Sequence, residues 1–366
     1  MEFTLQREQI LKPLQAVAGV VERRQTLPIL SNLLIQCKKE KITLTGTDLE
    51  VQLVGEIPVA VKDPADITVP ARKFVDICRT LPEQSELKIS VTGERITVRA
   101  GKSRFTLATL PADDFPIVAM GKDAVGFHLS QRQFRELITR THFAMALQDV
   151  RYYLNGLLLE LENGVLRAVA TDGHRLAIGE VAADVQVPGP RQLIIPRKGV
   201  QELLRMLGDQ DTPVQLAVSA NHVEVRLNEL CFTSKLIDGR FPEYQRVIPR
   251  RGDKVMEADR ELLRQALTRT SILSNEKYRG VRLHLTKGNL RVQAHNPEQE
   301  EAEEELEVKY QGETLEIGFN VTYLVDALSA IETERVQVEL TDGNSSALIQ
   351  AVGQDQYRYV VMPMRL

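Results

Sequence analysis

The chain has 366 residues, room for two or three domains at the usual ~100–200 residues each. Hydrophobic residues make up 43% and charged residues 26%, which suits buried cores and excludes a disordered tail; no apolar run approaches the ~18 residues of a membrane span. The net charge of −4 excludes an evenly cationic coat but leaves room for a local basic surface. The opening MEFTLQREQILK mixes charges among its apolar residues, unlike a signal or transit peptide. Cys37, Cys78 and Cys231 are too few and too scattered for a disulfide framework or a zinc knuckle, so a cytoplasmic location is expected.

In chain order, the first predicted helix lies in FTLQREQILKPLQAVA, where Ile10 and Leu14 share a face. A strand pair, ILSNLLIQ and KITLTGTD, follows. ITVPARKFVDIC then reads as a strand running into a second helix, and LKISVTGERITVRAGKSRFTLATL alternates like antiparallel strands. The series recurs from Phe127 (FHLSQRQFRELITRTH, with Phe134 and Ile138) and from Met256 (MEADRELLRQALTRTS, with Leu263 and Leu267). Asp48, Asp172 and Asn296 are equivalent at intervals of 124 residues, and Phe74, Val200 and Leu324 at 126 and 124. At ~120 residues the unit exceeds solenoid repeats of 20–50. The expectation is an α+β fold of three tandem similar domains, 1–120, 127–244 and 245–366, each with two helices packed on antiparallel sheets and its own core.

Enzyme signals are poor. Gly101–Ser103 reads GKS, but a phosphate loop would need glycine at 96, which is Ile96, so a hairpin turn explains it better. The six histidines form no HExxH motif. Asp48 and Asp172 resemble a carboxylate pair for acid–base work, yet their third equivalent, Asn296, cannot serve; a side chain bonding its own turn explains all three. His174 beside Asp172 has no accompanying nucleophile and reads as a loop or pocket residue. No catalytic residue, metal or cofactor is expected.

The helices carry the cations. The first helices hold Arg7, Lys12, Arg23 and Arg24, then Arg132, Arg135 and Arg140, then Arg260, Arg264 and Arg269. The second helices of repeats one and two add Arg72, Lys73 and Arg79, then Arg197, Lys198 and Arg205. Only Glu8, Glu22, Asp76, Glu136, Glu202, Asp259 and Glu261 oppose them, so these segments sum to +9 and the remainder to −13. Such a division draws a polyanion to one surface, although solvated faces of amphipathic helices would look similar. The last helix, FNVTYLVDALSAIETE, has no Lys or Arg.

With the repeat in hand, the chain resembles the bacterial DNA sliding clamps, the beta subunits of DNA polymerase III. The strings that carry the resemblance include LPILSNLL (27–34), TGTDLE (45–50), VPARKF (69–74), QDVRYYLNG (148–156), ATDGHRLA (170–177), DGRFPEY (238–244), ILSNEKYRGVRL (272–283), NPEQEEAEEEL (296–306) and YVVMPMRL (359–366). The resemblance implies a head-to-tail homodimer closed into a six-domain ring. That ring would encircle double-stranded DNA without sequence preference, catalyse nothing, and tether the replicative polymerase. Other expected partners are the clamp loader, other polymerases and repair proteins, bound through short hydrophobic peptides; no membrane is involved.

Carried over by residue, DNA contacts fall on Arg24, Arg72, Gln148, Tyr152 and Tyr153, with Lys198 and Arg279 as additions; the adjacent tyrosines could instead be half-buried strand residues. The dimer interface falls on Lys73, Ile77, Lys102, Arg104, Phe105 and Leu107 against Ile272, Leu273, Glu300, Glu301, Glu303 and Glu304. The peptide pocket falls on Leu154, Thr171, Gly173, His174, Arg175, Leu176, Pro242, Arg246, Val247, Asn320, Tyr323 and Ser346, and on the tail Val360, Val361, Met362, Pro363, Met364, Arg365 and Leu366. His174 and Arg175 would orient the peptide, and flexible methionines suit many clients.

Overall fold

The computed structural model describes residues 2–22, 27–121, 123–187, 189–249 and 252–365. Each repeat runs strand, helix, four strands, helix, three strands. The first comprises β1 (Glu2–Gln6), α1 (Arg7–Gly19), β2 (Asn32–Lys38), β3 (Lys41–Thr47), β4 (Val51–Pro58), β5 (Ala65–Pro70), α2 (Ala71–Thr80), β6 (Glu86–Thr92), β7 (Arg95–Ala100) and β8 (Ser103–Ala108). The second comprises β9 (Val125–Ser130), α3 (Gln131–Thr139), β10 (Gly156–Glu162), β11 (Val165–Thr171), β12 (Arg175–Ala182), β13 (Arg191–Pro196), α4 (Arg197–Met206), β14 (Pro213–Val218), β15 (His222–Leu227) and β16 (Leu230–Lys235). The third comprises β17 (Lys254–Asp259), α5 (Arg260–Thr270), β18 (Gly280–Thr286), β19 (Asn289–His295), β20 (Glu301–Glu307), β21 (Leu315–Asn320), α6 (Val321–Ser329), β22 (Arg335–Leu340), β23 (Ala347–Ala351) and β24 (Tyr357–Val361).

One expectation is corrected. Each repeat opens with a strand rather than a helix, because the short alternations Phe3/Leu5, Phe127/Leu129 and Met256/Ala258 are buried strand pairs that run directly into the helix. The repeats also join their sheets edge to edge. One eight-stranded antiparallel sheet has the order β5-β2-β3-β4-β16-β15-β14-β9, the other β13-β10-β11-β12-β24-β23-β22-β17. An edge strand left bare costs unpaired backbone groups, and pairing β4 with β16 and β12 with β24 removes four such edges. Two four-stranded sheets remain, β1-β6-β7-β8 and β20-β19-β18-β21.

The described residues pack as two compact units, one up to Arg132 with Lys198–Leu236, the other Gln133–Arg197 with the chain from Ile237 onward. The boundary runs through the second repeat. In the first unit α1 buries Ile10, Leu14 and Val17, and a Cβ at Gly46 would stand 2.6 Å from the Val17 carbonyl, so only glycine lets this helix settle on β3. Its start is fixed by the Gln6 amide donating to Gln9 Oε1 at 2.8 Å. In the second unit α5 and α6 bury Leu263 and Leu267, and Leu324 and Leu328, and are capped by Asp259 and Asn320. Among the described residues no helix is long and apolar enough to cross a membrane.

Candidate functional site

The paired-carboxylate idea dissolves into turn chemistry. Asp48 Oδ1 accepts from the amides of Glu50 and Val51, Asp172 Oδ1 from those of His174 and Arg175, and Asn296 Oδ1 from that of Glu300. Each side chain supplies the acceptor that closes its hairpin, a task an amide performs as well as a carboxylate. Gly101, with φ +55°, lies in the turn between β7 and β8, as the hairpin reading of GKS requires. Burial pushes the thiols of Cys37, Cys78 and Cys231 up to about 12, so they stay protonated at neutral pH.

The second unit holds an open cavity of about 700 Å³. Its floor is the apolar end of one face of the sheet, where Leu176 of β12 stands opposite Val360 of β24, joined by Leu154. Beneath lies a buried cluster that includes Leu158, Val169, Ile178, Ile194 and Phe241. One wall is the turn carrying Pro242, Arg246 and Val247; Thr171 and Gly173 of the hairpin, Ser346 and Met362 supply the rest. Sequence reasoning passed over Arg151, Tyr244, Ile248 and Thr341, which also line it. Arg151 was legible in principle, because it sits inside QDVRYYLNG.

Gly173 has φ +90°, and a Cβ there would stand 2.9 Å from Arg151 Nη2. Arg151 is held over it by Asp149 at 2.8 Å, and the hydrogen bonds from Arg151 keep the Asp149 carboxyl down at about 2. Arg175 lines the cavity with its guanidinium already engaged. Its Nε donates to Asp172 Oδ2 (3.0 Å), Nη1 to Asp326 Oδ2 (2.5 Å) and Nη2 to the Phe143 carbonyl (2.9 Å), while its plane lies 4.6 Å over Tyr323. The guanidinium is spent tying the hairpin to α6. His174 is exposed and stacks on Tyr323 with centroids 6.4 Å apart, beside this cavity rather than in its lining. Asn320 caps α6, donating its side-chain amide to the Tyr278 carbonyl as well, and Val361 is buried.

The tail is hydrogen-bonded as far as Met364. The Met362 amide donates to the His174 carbonyl (2.9 Å) and the Met364 amide to the Gly318 carbonyl (2.9 Å), so the strand order of β24 is extended and then handed to β21. Met362 is exposed in the first cavity, while Met364 and Arg365 line a second, more polar one of about 580 Å³ with Tyr278, Arg282 and His295. Pro363 links the two, and Leu366 lies outside the described residues.

The cations divide into spent and available. Arg7 caps the end of α2 through the carbonyls of Cys78 and Arg79, and Arg140 pairs with Glu332, Arg264 with Glu261 and Arg269 with Glu304. Lys198 is half-buried against Glu22 and Asp48, and buried Glu202, whose carboxyl is raised by burial, pairs with Arg205. Arg72 and Lys73 are exposed on α2, and among the described residues neither has an ion-pair partner. α1 stops at Gly19, so Glu22 falls beyond it, and Arg24 lies outside the described residues. Gln148 and Arg279 are exposed at positive φ (+56° and +50°). Tyr152 and Tyr153 sit on a one-turn 3-10 helix, not a strand: Tyr152 is 57% exposed, whereas Tyr153 packs on the apolar cluster.

The open edges differ in charge. Strand β8 (SRFTLA) carries exposed Arg104 with half-buried Phe105 and Leu107 and follows exposed Lys102; on α2, Ile77 is half-buried. Strand β20 (EAEEELE) carries Glu301, Glu303 and Glu304, with Glu300 just before it. Ile272 is 74% exposed in the one-turn helix after α5, beside half-buried Leu273.

Comparison with known proteins gives one answer along the chain. Family models of the DNA polymerase III beta subunit match throughout: the N-terminal domain at residues 1–119, the central domain at 128–243 and the C-terminal domain at 245–365. The beta sliding clamp of Pseudomonas putida is 55% identical over the full length of both chains. Among solved structures, DNA polymerase III subunit beta from Pseudomonas aeruginosa superposes with a TM-score of 0.98 at 56% identity, covering 100% of each chain. A DnaN sliding clamp from the same species, bound to griselimycin, does so at 0.96 and 56%, again with full coverage.

Proposed function

The chain belongs to the DNA polymerase III beta subunit family, and on that premise we propose that it works as a sliding clamp: a non-catalytic ring around duplex DNA that tethers the polymerase. The observation that carries this reading is the pair of open edges. In both joined sheets the hairpin after an Asx turn meets the last strand of the next repeat, Val51 opposite Ser234 and Arg175 opposite Val361. The third hairpin has the same turn with one extra residue, since Asn296 closes on Glu300 where Asp48 closes on Val51. Among the described residues its strand β20 has no such partner, and neither has β8.

Two copies arranged head to tail would satisfy both edges twice and close. Ser234 and Val361 are each the fifth residue of their strands, as Leu107 is of β8. The equivalent register sets Glu300 opposite Leu107, half-buried Ala302 opposite half-buried Phe105, and Glu303 opposite Arg104. Lys73 and Ile77 would then flank the joint with Ile272 and Leu273. Burial of Phe105, Leu107, Ile272 and Leu273 would contribute ~1.5–3 kcal/mol each, against ~0.2–1 for an exposed ion pair, so apolar contacts hold the joint and charge orients it.

Within such a ring Arg24, Arg72, Gln148, Tyr152, Tyr153, Lys198 and Arg279 touch phosphates without reading bases, and the domains are 1–120, 127–244 and 245–366. The cavity takes short peptides of the replicative polymerase, the clamp loader and other polymerases and repair proteins, whose leucine or phenylalanine would settle on Leu154, Leu176 and Val360. A tethered partner rebinds before it diffuses away, which is how the ring would sustain synthesis. The protein would act in the cytoplasm. The test is retention on DNA: the protein, loaded on a nicked circle, should stay through gel filtration and be lost when the circle is cut once. Equal retention on linear and circular DNA sinks the ring.

A further inference from the structure

The wall of the cavity formed by residues 238–249 has no strand pairing of its own. Its backbone-to-backbone hydrogen bonds are local, Tyr244 to Pro242 and Arg246 to Glu243, and its one regular element is the single turn Tyr244–Val247. Something other than backbone must fix how high this wall stands over the sheet. Two side chains reach down: Phe241, 3% exposed, and Tyr244, 4% exposed. Phe241 has only apolar contacts to offer, which are non-directional. Tyr244 has a hydroxyl, and it donates to Glu160 Oε2 at 2.6 Å.

Glu160 belongs to a charged ladder across the same sheet face. Gln192 of β13 donates to Glu160 Oε1 (2.8 Å), Arg167 of β11 donates to Glu160 Oε2 (2.6 Å) and to Glu180 of β12 (2.9 Å), and Arg358 of β24 stands 3.9 Å from Glu180. Beyond the ladder the same face becomes the apolar floor of the cavity: Glu160, Arg167 and Glu180 are two residues along their strands from Leu158, Val169 and Ile178. Tyr244 sits on the seam, ring over the apolar end and hydroxyl on the charged end. Burial pushes the Glu160 carboxyl up, but hydrogen bonds from Tyr244, Gln192 and Arg167 outweigh it and hold it below its ordinary range.

We propose that Tyr244 and Glu160 are positioning residues for the peptide site: their hydrogen bond sets the Pro242–Val247 wall at the height a bound side chain needs, and the ladder ties that wall to β24, from which Val360 rises. The proposal rests on reading the cavity as the peptide site. Neither residue need touch the peptide's anchoring side chains. The alternative anchor, burial of the Tyr244 ring alone, leaves the turn free to slide over a flat apolar surface. A short hydrogen bond to a charged acceptor does not permit that slide.

The test is a double-mutant cycle on the full-length protein with a fluorescein-labelled pentapeptide, Gln-Leu-Asp-Leu-Phe. Its apolar side chains suit the floor, and its carboxylate suits Arg151 and Arg246. Tyr244→Phe keeps the ring and should raise Kd about five- to tenfold, chiefly through faster dissociation. Hydrogen exchange at Glu243–Val247 should rise while the melting temperature of the whole protein holds. Glu160→Ala, which also releases Gln192 and Arg167, should weaken binding at least as much, and Tyr244→Phe should add nothing to it, because the bond between the two is already gone. Glu160→Gln keeps an oxygen for the hydroxyl and should bind within about twofold of the parent. Unchanged affinity in Tyr244→Phe, or additive losses in the double variant, overturns the positioning role alone. No binding by the parent chain removes the peptide reading and the positioning role together.

Discussion

A cation's worth to DNA depends on what already holds it. Arg72 meets solvent with no ion-pair partner among the described residues, whereas Lys198 must leave Glu22 and Asp48 before it can meet a phosphate. Each phosphate contact contributes about 0.9 to the slope of log K against log salt. Arg72→Ala should therefore lower that slope by about one, and Lys198→Ala by clearly less; fluorescence anisotropy on a salt series reads both. An equal drop for the two variants would mean the Lys198 pairs open freely. The sequence makes the net cationic character of the helices legible but not this distinction, since Glu22 and Asp48 lie 176 and 150 residues from Lys198. Asp48, Asp172 and Asn296 were legible for the opposite reason. Their bonds close within four residues, so the turn chemistry is written beside them.

Strands show where pattern reading gains and loses. The alternation of the late strands was clear, but β1, β9 and β17 were absorbed into the helices they precede, because five or six residues hold too few alternations to separate period two from 3.6. The terminal methionines suggested a pocket; that the tail is stitched at Met362 and Met364 to two different strand partners is a tertiary fact no local signal carries. The interface register can be tested directly. Arg104→Glu should raise the dissociation constant of the dimer without abolishing it, as should Glu303→Arg. The two together should restore the parent's dissociation constant in sedimentation velocity, because the exchanged charges again stand opposite. Failure of the double variant, with each single variant folded, would place the strands in another register.

At the scale of the whole molecule, the two joints within the chain differ in chemistry from the proposed third. The joint of β4 with β16 sets Leu53 opposite Phe232, and that of β12 with β24 sets Leu176 opposite Val360. Strand β8 carries Arg104 and strand β20 a row of glutamates, and the third hairpin carries an extra residue. Threefold internal likeness was readable from spacing alone, but which joints close within the chain was not, because sheet sharing depends on strand order. The consequence of the charged edges concerns the time before assembly. A nascent chain with three interchangeable edges could zip onto the wrong strand or onto a neighbour's, and grow without end. In the proposed ring, acidic β20 would repel other copies of itself and pair poorly with the largely uncharged β16 and β24, and so would wait for a basic edge of the same species. The glutamates then act as an address, whose loss would be felt in fidelity of assembly more than in strength. Replacing Glu301, Glu303 and Glu305 with Gln should yield a protein that still dimerises but scatters light as higher oligomers at tens of micromolar, where the parent stays clear.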